Sequence, residues 1–411
     1  MNPLELTLGI MTAVGGFVDI SELVFAAKAG SMFGYALIWA FALGTIGMSV
    51  FGEMCGRVAA VAKQPVFNLM RHRLGLKLGL ITLIGSLVST LITCAAEIGG
   101  MALILNYLTG LPYALLAVFS VLAVGASMWV LPFKWIERTY GLLGLLMIVL
   151  AVALVAIHPP WAKVAGGFVP QVPAALSPKQ LLNYSYFVVA ILSAVLFPYE
   201  SYFYSSGGIE EGWGPKDLLT NRVTCTLGFA LGSLLAISIL ASSAQLFGPL
   251  NVGPEVPGTT AMEAAMPLGR TGLLLALLGM LFAVAGAAVE TCMSNAYAVS
   301  QFFGWEWGRH VQPWEAPRFT LAWIAVMLLS LLIVLTGVDV MSLVEYAVLF
   351  SIIVLPLTYL PLMLLANDRS YMREHANKWL AKSLGWFFFV VVTVAAIAAL
   401  PLYLMTSGGQ G

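Results

Sequence analysis

The chain has 411 residues, and its composition excludes a soluble protein of that length. Hydrophobic residues make up 60% and charged residues 9%, whereas a soluble domain carries about 25% charged residues. The 19 basic and 19 acidic residues cancel, so no net charge attracts nucleic acid. The sequence therefore predicts an integral membrane protein that crosses the bilayer many times.

Apolar stretches of about 20 residues, the length that crosses a bilayer, recur along the whole chain. They predict eleven spans, numbered here 1 to 11, at 8–29, 34–61, 77–108, 112–131, 139–157, 181–205, 219–247, 271–303, 317–337, 341–366 and 384–405. We interpret residues 1–411 as one transmembrane domain. Its odd number of spans predicts termini on opposite sides of the membrane.

Basic residues predict the orientation, because they are enriched in cytoplasmic loops. One set of alternating loops holds only Lys28, Lys163, Lys179 and Arg270 of the 19 basic residues. The other set, with all the rest, is therefore predicted to be cytoplasmic. This places the N-terminus inside and the C-terminus outside.

Two predicted spans carry acidic residues near their middle. Span 1 reads GIMTAVGGFVDISELVFAAKAG, with Asp19 and Glu22 three residues apart, and span 6 contains Pro198 followed by Glu200. Proline lacks the backbone donor that a helix needs, and a carboxylate at membrane depth is costly. Both spans are therefore predicted to be broken helices.

The two breaks lie five spans apart, which is typical of transporters built from inverted repeats. The sequence therefore predicts an all-α fold with one five-helix repeat at 8–157, a second at 181–366 and an extra helix at 384–405. In such folds the substrate binds near the bilayer midplane, between the two breaks.

Further carboxylates lie in apolar stretches. Glu97 in span 3 and Glu290 in span 8 are the deepest, and we predict that they line a proton or ion path. Glu53 and Glu345 fall nearer to span ends, where an ordinary structural partner is the simpler interpretation.

No segment is long enough for a soluble catalytic domain. The two longest loops, 158–180 and 248–270, are rich in Pro and Gly and are predicted to be plain connectors. The sequence also contains no HExxH, Walker or Ser/His/Asp arrangement. It predicts neither an enzyme nor a bound cofactor.

Several stretches resemble the Nramp family of divalent metal transporters, including its magnesium-transporting relatives. They are KAGSMFGYALIW after the span 1 acids, AAEIGGMALILNYLTGLP in span 3, AYAVSQFFGW in span 8 and LPLTYLPLMLLANDRSYM after span 10. The similarity covers nearly the whole chain. It implies a LeuT-type fold in which helices 1 and 6 are broken at the midplane. Together with the compactness of the chain, it also implies a location in the inner membrane of a prokaryote.

The resemblance implies roles for residues in spans 1 and 3. Asp19 takes the place of the metal-binding aspartate in the family motif Asp-Pro-Gly-Asn, and Glu22 takes that of the asparagine. Glu97 matches an acid that is associated with the proton route of the family.

In span 6 the resemblance implies that the carbonyl of Ala194 faces the ion. Phe197 and Tyr199 replace the methionine and histidine of the family motif Met-Pro-His, and Glu200 replaces the asparagine after it. In span 10, Val354 stands where the family has a glutamine.

These replacements predict the kind of ion. Thioether sulfur favours softer transition metals, whereas carboxylates and carbonyls suit Mg²⁺ and Mn²⁺. With Phe197 in place of the methionine, we predict transport of Mg²⁺ and/or Mn²⁺ by alternating access, with Asp19, Glu22 and Glu200 as ligands. Three carboxylates favour proton coupling and the replacement of the histidine by Tyr199 disfavours it, so coupling stays open.

Two other functions stay open. The aromatic residues of span 6 would also suit a transporter of a small organic cation or zwitterion on the same fold. A membrane sensor that binds an ion without moving it is disfavoured, because no cytoplasmic signalling domain is present. In each case the partners are the ligand and the lipid bilayer, not nucleic acid, and a monomer is predicted to suffice.

Overall fold

The computed structural model describes residues 18–173 and 176–409, and every regular element in those ranges is a helix. The α-helices are α1 Ile20–Phe33, α2 Ile38–Ala62, α3 Val66–Thr109, α4 Tyr113–Val130, α5 Phe133–Gly144, α6 Ile148–Ala156, α7 Trp161–Gly166, α8 Pro178–Val195, α9 Pro198–Glu210, α10 Leu218–Leu246, α11 Pro257–Phe303, α12 Pro317–Leu335, α13 Val340–Asn367, α14 Arg369–Met372 and α15 Trp379–Thr406. Short 3-10 turns at Leu145–Met147, Pro215–Asp217, Gly248–Leu250 and Arg373–His375 complete the regular structure.

Ten stretches of the described chain are long and apolar enough to cross a membrane. They correspond to predicted spans 2 to 11, and most boundaries agree within a few residues; Tyr113–Val130, for example, matches the predicted 112–131. For span 1, α1 is its second half, and the predicted residues 8–17 lie outside the described part. The prediction of a multi-pass helical membrane protein is confirmed.

Span 6 is broken, as predicted. Helix α8 ends at Val195, and α9 begins at Pro198. Between them, Leu196 (φ −115°, ψ 46°) and Phe197 (φ −65°, ψ 136°) leave the helical conformation. Pro198 supplies the reason: it has no N–H to donate to the carbonyl four residues earlier, but it fits the first position of a new helix.

Helix α11 also contains a break, and this break corrects the prediction for one loop. At 47 residues α11 would extend about 70 Å as a single rod, twice the bilayer core, but Gly269 (φ 65°) interrupts it. The helical part before Gly269 occupies the predicted connector 248–270. Its Ala261, Glu263 and Ala264 are completely buried, so this segment packs into the protein and the prediction of a plain connector was wrong.

Two glycines let α1 approach its neighbours closely. A Cβ atom on Gly30 would lie 2.1 Å from the carbonyl oxygen of Leu240 in α10. A Cβ atom on Gly100 of α3 would lie 2.8 Å from the Ile20 side chain at the start of α1. Small residues at such contacts are how membrane helices pack tightly, and here they fix both ends of α1.

The predicted repeats at 8–157 and 181–366 place α1 and the α8–α9 break at corresponding positions. Only the second half of the first break is described, so the ranges of the two repeats stay a prediction.

Candidate functional site

The start of α1 carries two buried carboxylates. Asp19 is the N-cap of α1: its backbone is extended (φ −91°, ψ 175°), and its Oδ1 accepts a hydrogen bond from the Glu22 amide at 2.8 Å. Glu22 lies in the first turn, and both side chains are completely buried. A helix N-terminus favours negative charge, which explains how the fold tolerates two acids at this depth.

The break in span 6 brings a helix C-terminus and a helix N-terminus together. The last carbonyls of α8, including that of Ala194, lack amide donors from a continuing helix because residue 198 is proline. Glu200 lies in the first turn of α9, where the helix dipole again favours its charge. The break therefore offers both carbonyl and carboxylate oxygens, the ligands that hard cations prefer.

A third helix contributes Glu97. Its Oε1 accepts a hydrogen bond from the Ile20 amide at 3.3 Å, and the side chain is completely buried. This bond places the carboxylate of α3 against the N-terminus of α1, next to Asp19. The sequence-predicted path residue is therefore part of the site itself.

We call Asp19, Glu22, Glu97 and Glu200 the central carboxylate cluster. Their negative charges are close enough to repel one another. The charge of Asp19 repels those of Glu22 and Glu97, and the charges of Asp19 and Glu22 both repel that of Glu200. Several buried oxygens of this cluster and of the adjacent Tyr199 have no hydrogen-bond partner among the described residues. They are Asp19 Oδ2, both carboxylate oxygens of Glu22, Glu97 Oε2, Glu200 Oε2 and the Tyr199 hydroxyl.

Unpaired buried oxygens at this density are unusual, because native proteins satisfy most buried polar groups. Across residues 18–173 and 176–409, however, no three His, Cys, Asp or Glu side chains converge as a ready metal cage. A cation at the central carboxylate cluster would therefore bind few carboxylates directly and complete its coordination with carbonyl oxygens or water.

The remaining predicted residues take different positions. The rings of Phe197 and Tyr199 pack together with centroids 5.2 Å apart. Glu290 lies within electrostatic reach of Glu200 and lines a small cavity of about 20 Å³ together with Glu137. Val354 packs towards Gly85 of α3. Glu290 is therefore outside the cluster but within electrostatic reach of both Glu200 and Glu137.

Of the two acids nearer to span ends, Glu53 has the structural partner that the sequence interpretation expects. Glu53 forms an ion pair with Arg57 at 3.0 Å, one turn away on α2. Glu345 is 3% exposed near the start of α13. The Arg57 pair makes Glu53 a structural residue rather than part of the cluster.

Sequence analysis missed Tyr359. Its hydroxyl donates to the carbonyl of Leu196 at 3.4 Å and contacts the sulfur of Met48 at 3.7 Å, while its ring stacks on Phe51. It therefore ties α13 to the break between α8 and α9. A tyrosine in an apolar helix carries no signal for such a role.

Two charged residues were also missed. Lys28 in α1 is 4% exposed and lies 3.6 Å from Glu255 in the loop before α11; a lysine inside an apolar span is a signal that was available. Arg309, in the loop after α11, is surrounded by Glu137, Glu210 and Glu211.

The charge state of that loop follows from its surroundings. Burial alone would lower the pKa of the Arg309 guanidinium, but Glu137 and the neighbouring acidic groups outweigh burial and raise it above its usual value. Burial and the Arg309 charge both lower the pKa of His310. At neutral pH, Arg309 is therefore charged and His310 is mostly neutral.

Comparison with known proteins places the chain in a family. The family model described as "Natural resistance-associated macrophage protein-like", or Nramp, matches residues 9–401. The divalent metal cation transporter MntH of Latilactobacillus sakei is 23% identical over 413 residues, which cover 95% of this chain and 87% of that protein.

Solved structures agree on the fold. The manganese transporter of Eremococcus coleocola aligns with 99% of this chain and 87% of its own at a TM-score of 0.75 and 18% identity. MhsT, solved in complex with L-phenylalanine, aligns with 98% of both chains at a TM-score of 0.64 and 15% identity. The LeuT-type fold is therefore confirmed, and because it serves such different ligands it does not identify the substrate.

The family model extends over nearly the whole chain, including all four residues of the central carboxylate cluster, and the sequence relative covers 95% of the chain. The chain therefore belongs to the Nramp family, and it is a membrane transporter that needs no cofactor rather than an enzyme.

Proposed function

We propose that this protein is a secondary transporter that carries a divalent metal cation by alternating access, with Mg²⁺ and/or Mn²⁺ favoured over softer transition metals. The observation that carries the proposal is the set of unpaired carboxylate oxygens at two helix termini. The relatives described above, a divalent metal cation transporter and a manganese transporter, support the same class of substrate.

The preference for a hard ion rests on the ligands at the two breaks. Asp19, Glu22 and Glu200 offer carboxylates, and the end of α8 offers carbonyls. Phe197 offers no ligand atom at all where the family has a thioether. Oxygen-only sites favour Mg²⁺ and Mn²⁺. Mg²⁺ also keeps several of its waters, so one or two direct carboxylates suffice.

Proton movement is proposed as a second component. When the cation leaves, several unpaired carboxylates remain out of contact with water, which is costly. Protons are the smallest ions that neutralise them, and Glu97 and Glu290 are the candidate residues for their path. Whether the protons move with or against the metal is decided by experiment.

The test is uptake into proteoliposomes that contain a metal-sensitive dye and a pH dye. We expect the wild-type chain to take up Mg²⁺ and Mn²⁺, with Cd²⁺ competing poorly. Glu22→Gln keeps the shape of the side chain but removes its charge, and should abolish uptake. Glu306→Gln, in an exposed loop, is the matched control and should transport normally. Folded wild-type protein that moves neither ion would refute the proposal.

A second candidate is a small organic cation or zwitterion. The contact between Phe197 and Tyr199 beside the carboxylates favours it, because aromatic rings attract an alkylammonium group. Uptake of a radiolabelled organic amine that Mg²⁺ does not inhibit would support this alternative and contradict the metal proposal.

The inner membrane is proposed from the family to which the chain belongs, and the orientation is proposed from the distribution of basic residues. We propose an inner-membrane protein with the N-terminus inside, the C-terminus outside and a monomer as the working unit. A membrane-impermeant thiol reagent applied to intact cells should label Lys163→Cys in the predicted outer loop but not Lys216→Cys.

A further inference from the structure

Arg309 lies at the centre of a charged network that is separate from the central carboxylate cluster. It belongs to the loop between α11 and α12, yet its side chain is only 5% exposed. Its guanidinium is 3.1 Å from Glu137 Oε1, 3.2 Å from Glu210 Oε2 and 2.6 Å from Glu211 Oε1. We call these four residues the inner latch, since all four lie at the end that is predicted to be cytoplasmic.

The inner latch joins three separate elements. Glu137 is on α5, Glu210 is the last residue of α9 and Glu211 follows it. The guanidinium also lies 4.8 Å from the ring of Phe133, the first residue of α5. One side chain thus holds the ends of α5 and α9 against the loop after α11.

Glu210 is bound more firmly than a surface acid. Its Oε1 accepts the backbone amide of Arg309, and its Oε2 accepts the hydroxyl of Tyr297 in α11 at 2.8 Å. Its side chain is 9% exposed. A buried acid with an opposite charge and two further donors is costly to pull away, because each group would be left unpaired.

Helix α9 links this network to the central carboxylate cluster. Glu200 is in its first turn and Glu210 is its last residue, and a helix of 13 residues extends about 20 Å. Because a short helix moves as a rigid rod, a tilt of α9 at the break moves Glu210 at the other end. The two groups of charges are therefore mechanically connected.

We propose that Arg309 is the residue that closes the predicted cytoplasmic end of the transport path, by holding the ends of α5 and α9 together. The proposal rests on the alternating access proposed above. A cation can leave towards this side only after α9 has moved, and α9 moves only when Glu210 and Glu211 separate from Arg309. The three acids outnumber the single guanidinium, so without Arg309 they repel one another and the end opens.

The test measures the distance between α5 and the end of α9 in the absence of metal. Lys134 in α5 and Lys216 just after α9 are exposed, so cysteines at both positions accept spin labels. The four native cysteines are all buried and should not react. Double electron–electron resonance on the purified full chain in lipid nanodiscs then measures the distance between the labels on α5 and after α9.

We expect one short distance in the wild-type background and a majority of longer distances in Arg309→Gln. Removal of one partner of a buried ion network is strongly unfavourable for the closed arrangement, so the closed-to-open ratio should fall at least about tenfold. Arg309→Lys keeps the charge but not the planar fork and should lie between the two.

Arg318→Gln is the matched control, because Arg318 packs over Trp305 near the same loop but is exposed and outside the latch. It should keep the wild-type distance. If Arg309→Gln does not fold, Glu137→Gln removes one contact and should give a smaller shift in the same direction. Unchanged distances in Arg309→Gln, or in Glu137→Gln if only that variant folds, or an equal shift in Arg318→Gln, would overturn the proposal.

A transport measurement separates gating from a merely structural role. Arg309→Gln should lower the maximal uptake rate but leave the equilibrium affinity for Mn²⁺ unchanged, and Arg309→Lys should partly restore the rate. Loss of affinity together with rate would contradict gating. The distances are measured without metal, so distances that do not change in the Arg309 variant refute the latch alone. Absence of uptake by the wild-type chain refutes the proposed function.

Discussion

The central carboxylate cluster and the inner latch each bring several acidic side chains together, but the surroundings of those acids differ. In the cluster, each of the four acids keeps at least one buried oxygen that has no partner among the described residues. In the latch, Glu137, Glu210 and Glu211 converge on Arg309. Acidic groups are expensive to bury, but of these two groups only the latch has a basic partner among the described residues.

The difference indicates what each group is for. The negative charges of the cluster are neutralised when a cation binds, so the cluster is suited to bind the transported ion. The acids of the latch are already paired with an arginine, so the latch is suited to hold helices in place. The same acid-to-glutamine change should therefore affect ion binding in the cluster and conformation in the latch.

The largest expected effect is that of Asp19→Asn. Asparagine caps a helix as well as aspartate does, so α1 should keep its start while the site loses a charge. Losing one member of a close opposite-charge contact costs about 2–5 kcal/mol. We expect the affinity for Mn²⁺, measured by isothermal titration calorimetry, to fall by a hundredfold or more, on the order of that energy.

Asp339→Asn is the matched control for this change. Asp339 is also a helix N-cap, with its carboxylate accepting the Ser342 amide at the start of α13, but it is exposed. Its variant should bind Mn²⁺ like wild type. Equal losses in both variants would mean that capping rather than charge explains the result, and the comparison between the two groups would fail.

The next effect separates two neighbouring acids of the latch. Glu210→Gln weakens contacts to Arg309 and Tyr297 in a buried place and should reduce stability by about 1–3 kcal/mol. Glu211 is 50% exposed, and exposed ion pairs contribute about 0–1 kcal/mol. Thermal unfolding in detergent should therefore show a clear decrease in Tm for Glu210→Gln and little change for Glu211→Gln. Similar decreases would show that burial does not distinguish the two contacts.

A smaller effect tests the preference for hard ions. Phe197→Met places a thioether at the break between α8 and α9. A thioether ligand strengthens the binding of soft metal ions more than that of hard ions. We expect the affinity for Cd²⁺ relative to Mg²⁺ to rise about tenfold, or 1.4 kcal/mol. Phe197→Leu changes the volume of the side chain without adding sulfur and should leave the ratio unchanged. A shift in both variants would indicate that space rather than ligand chemistry sets selectivity.

The fold and the cluster were largely predictable because the membrane makes their signals strong. A span needs about 20 apolar residues, so an acid or a proline inside one is conspicuous. Asp19, Glu22, Glu97 and Glu200 were all identified in this way, and each lies at the predicted break or against it.

The inner latch was not predictable for the opposite reason. Arg309 and its acids lie in loops or at helix ends, where charged residues are ordinary. Arg309 and Glu137 are 172 positions apart, so only the folded chain reveals that they meet and are buried. The helical segment before Gly269 was missed similarly, because Pro and Gly are as common in loops as at helix starts and breaks.

The smallest expected effect concerns the neutral part of the central site. The carbonyl of Leu196 accepts a hydrogen bond from the Tyr359 hydroxyl, so this oxygen has a partner within the protein, unlike the unpaired carboxylate oxygens. Tyr359→Phe keeps the ring stack on Phe51 and removes one hydrogen bond, a loss of about 1 kcal/mol. The break should become less ordered, and the affinity for Mn²⁺ should fall about fivefold.

Tyr202→Phe is the control for this change. It removes a comparable hydrogen bond, from α9 to Thr358 of α13, and should bind Mn²⁺ normally. If it binds as weakly as Tyr359→Phe, the contact between helices α9 and α13, and not the hold on the Leu196 carbonyl, controls the site.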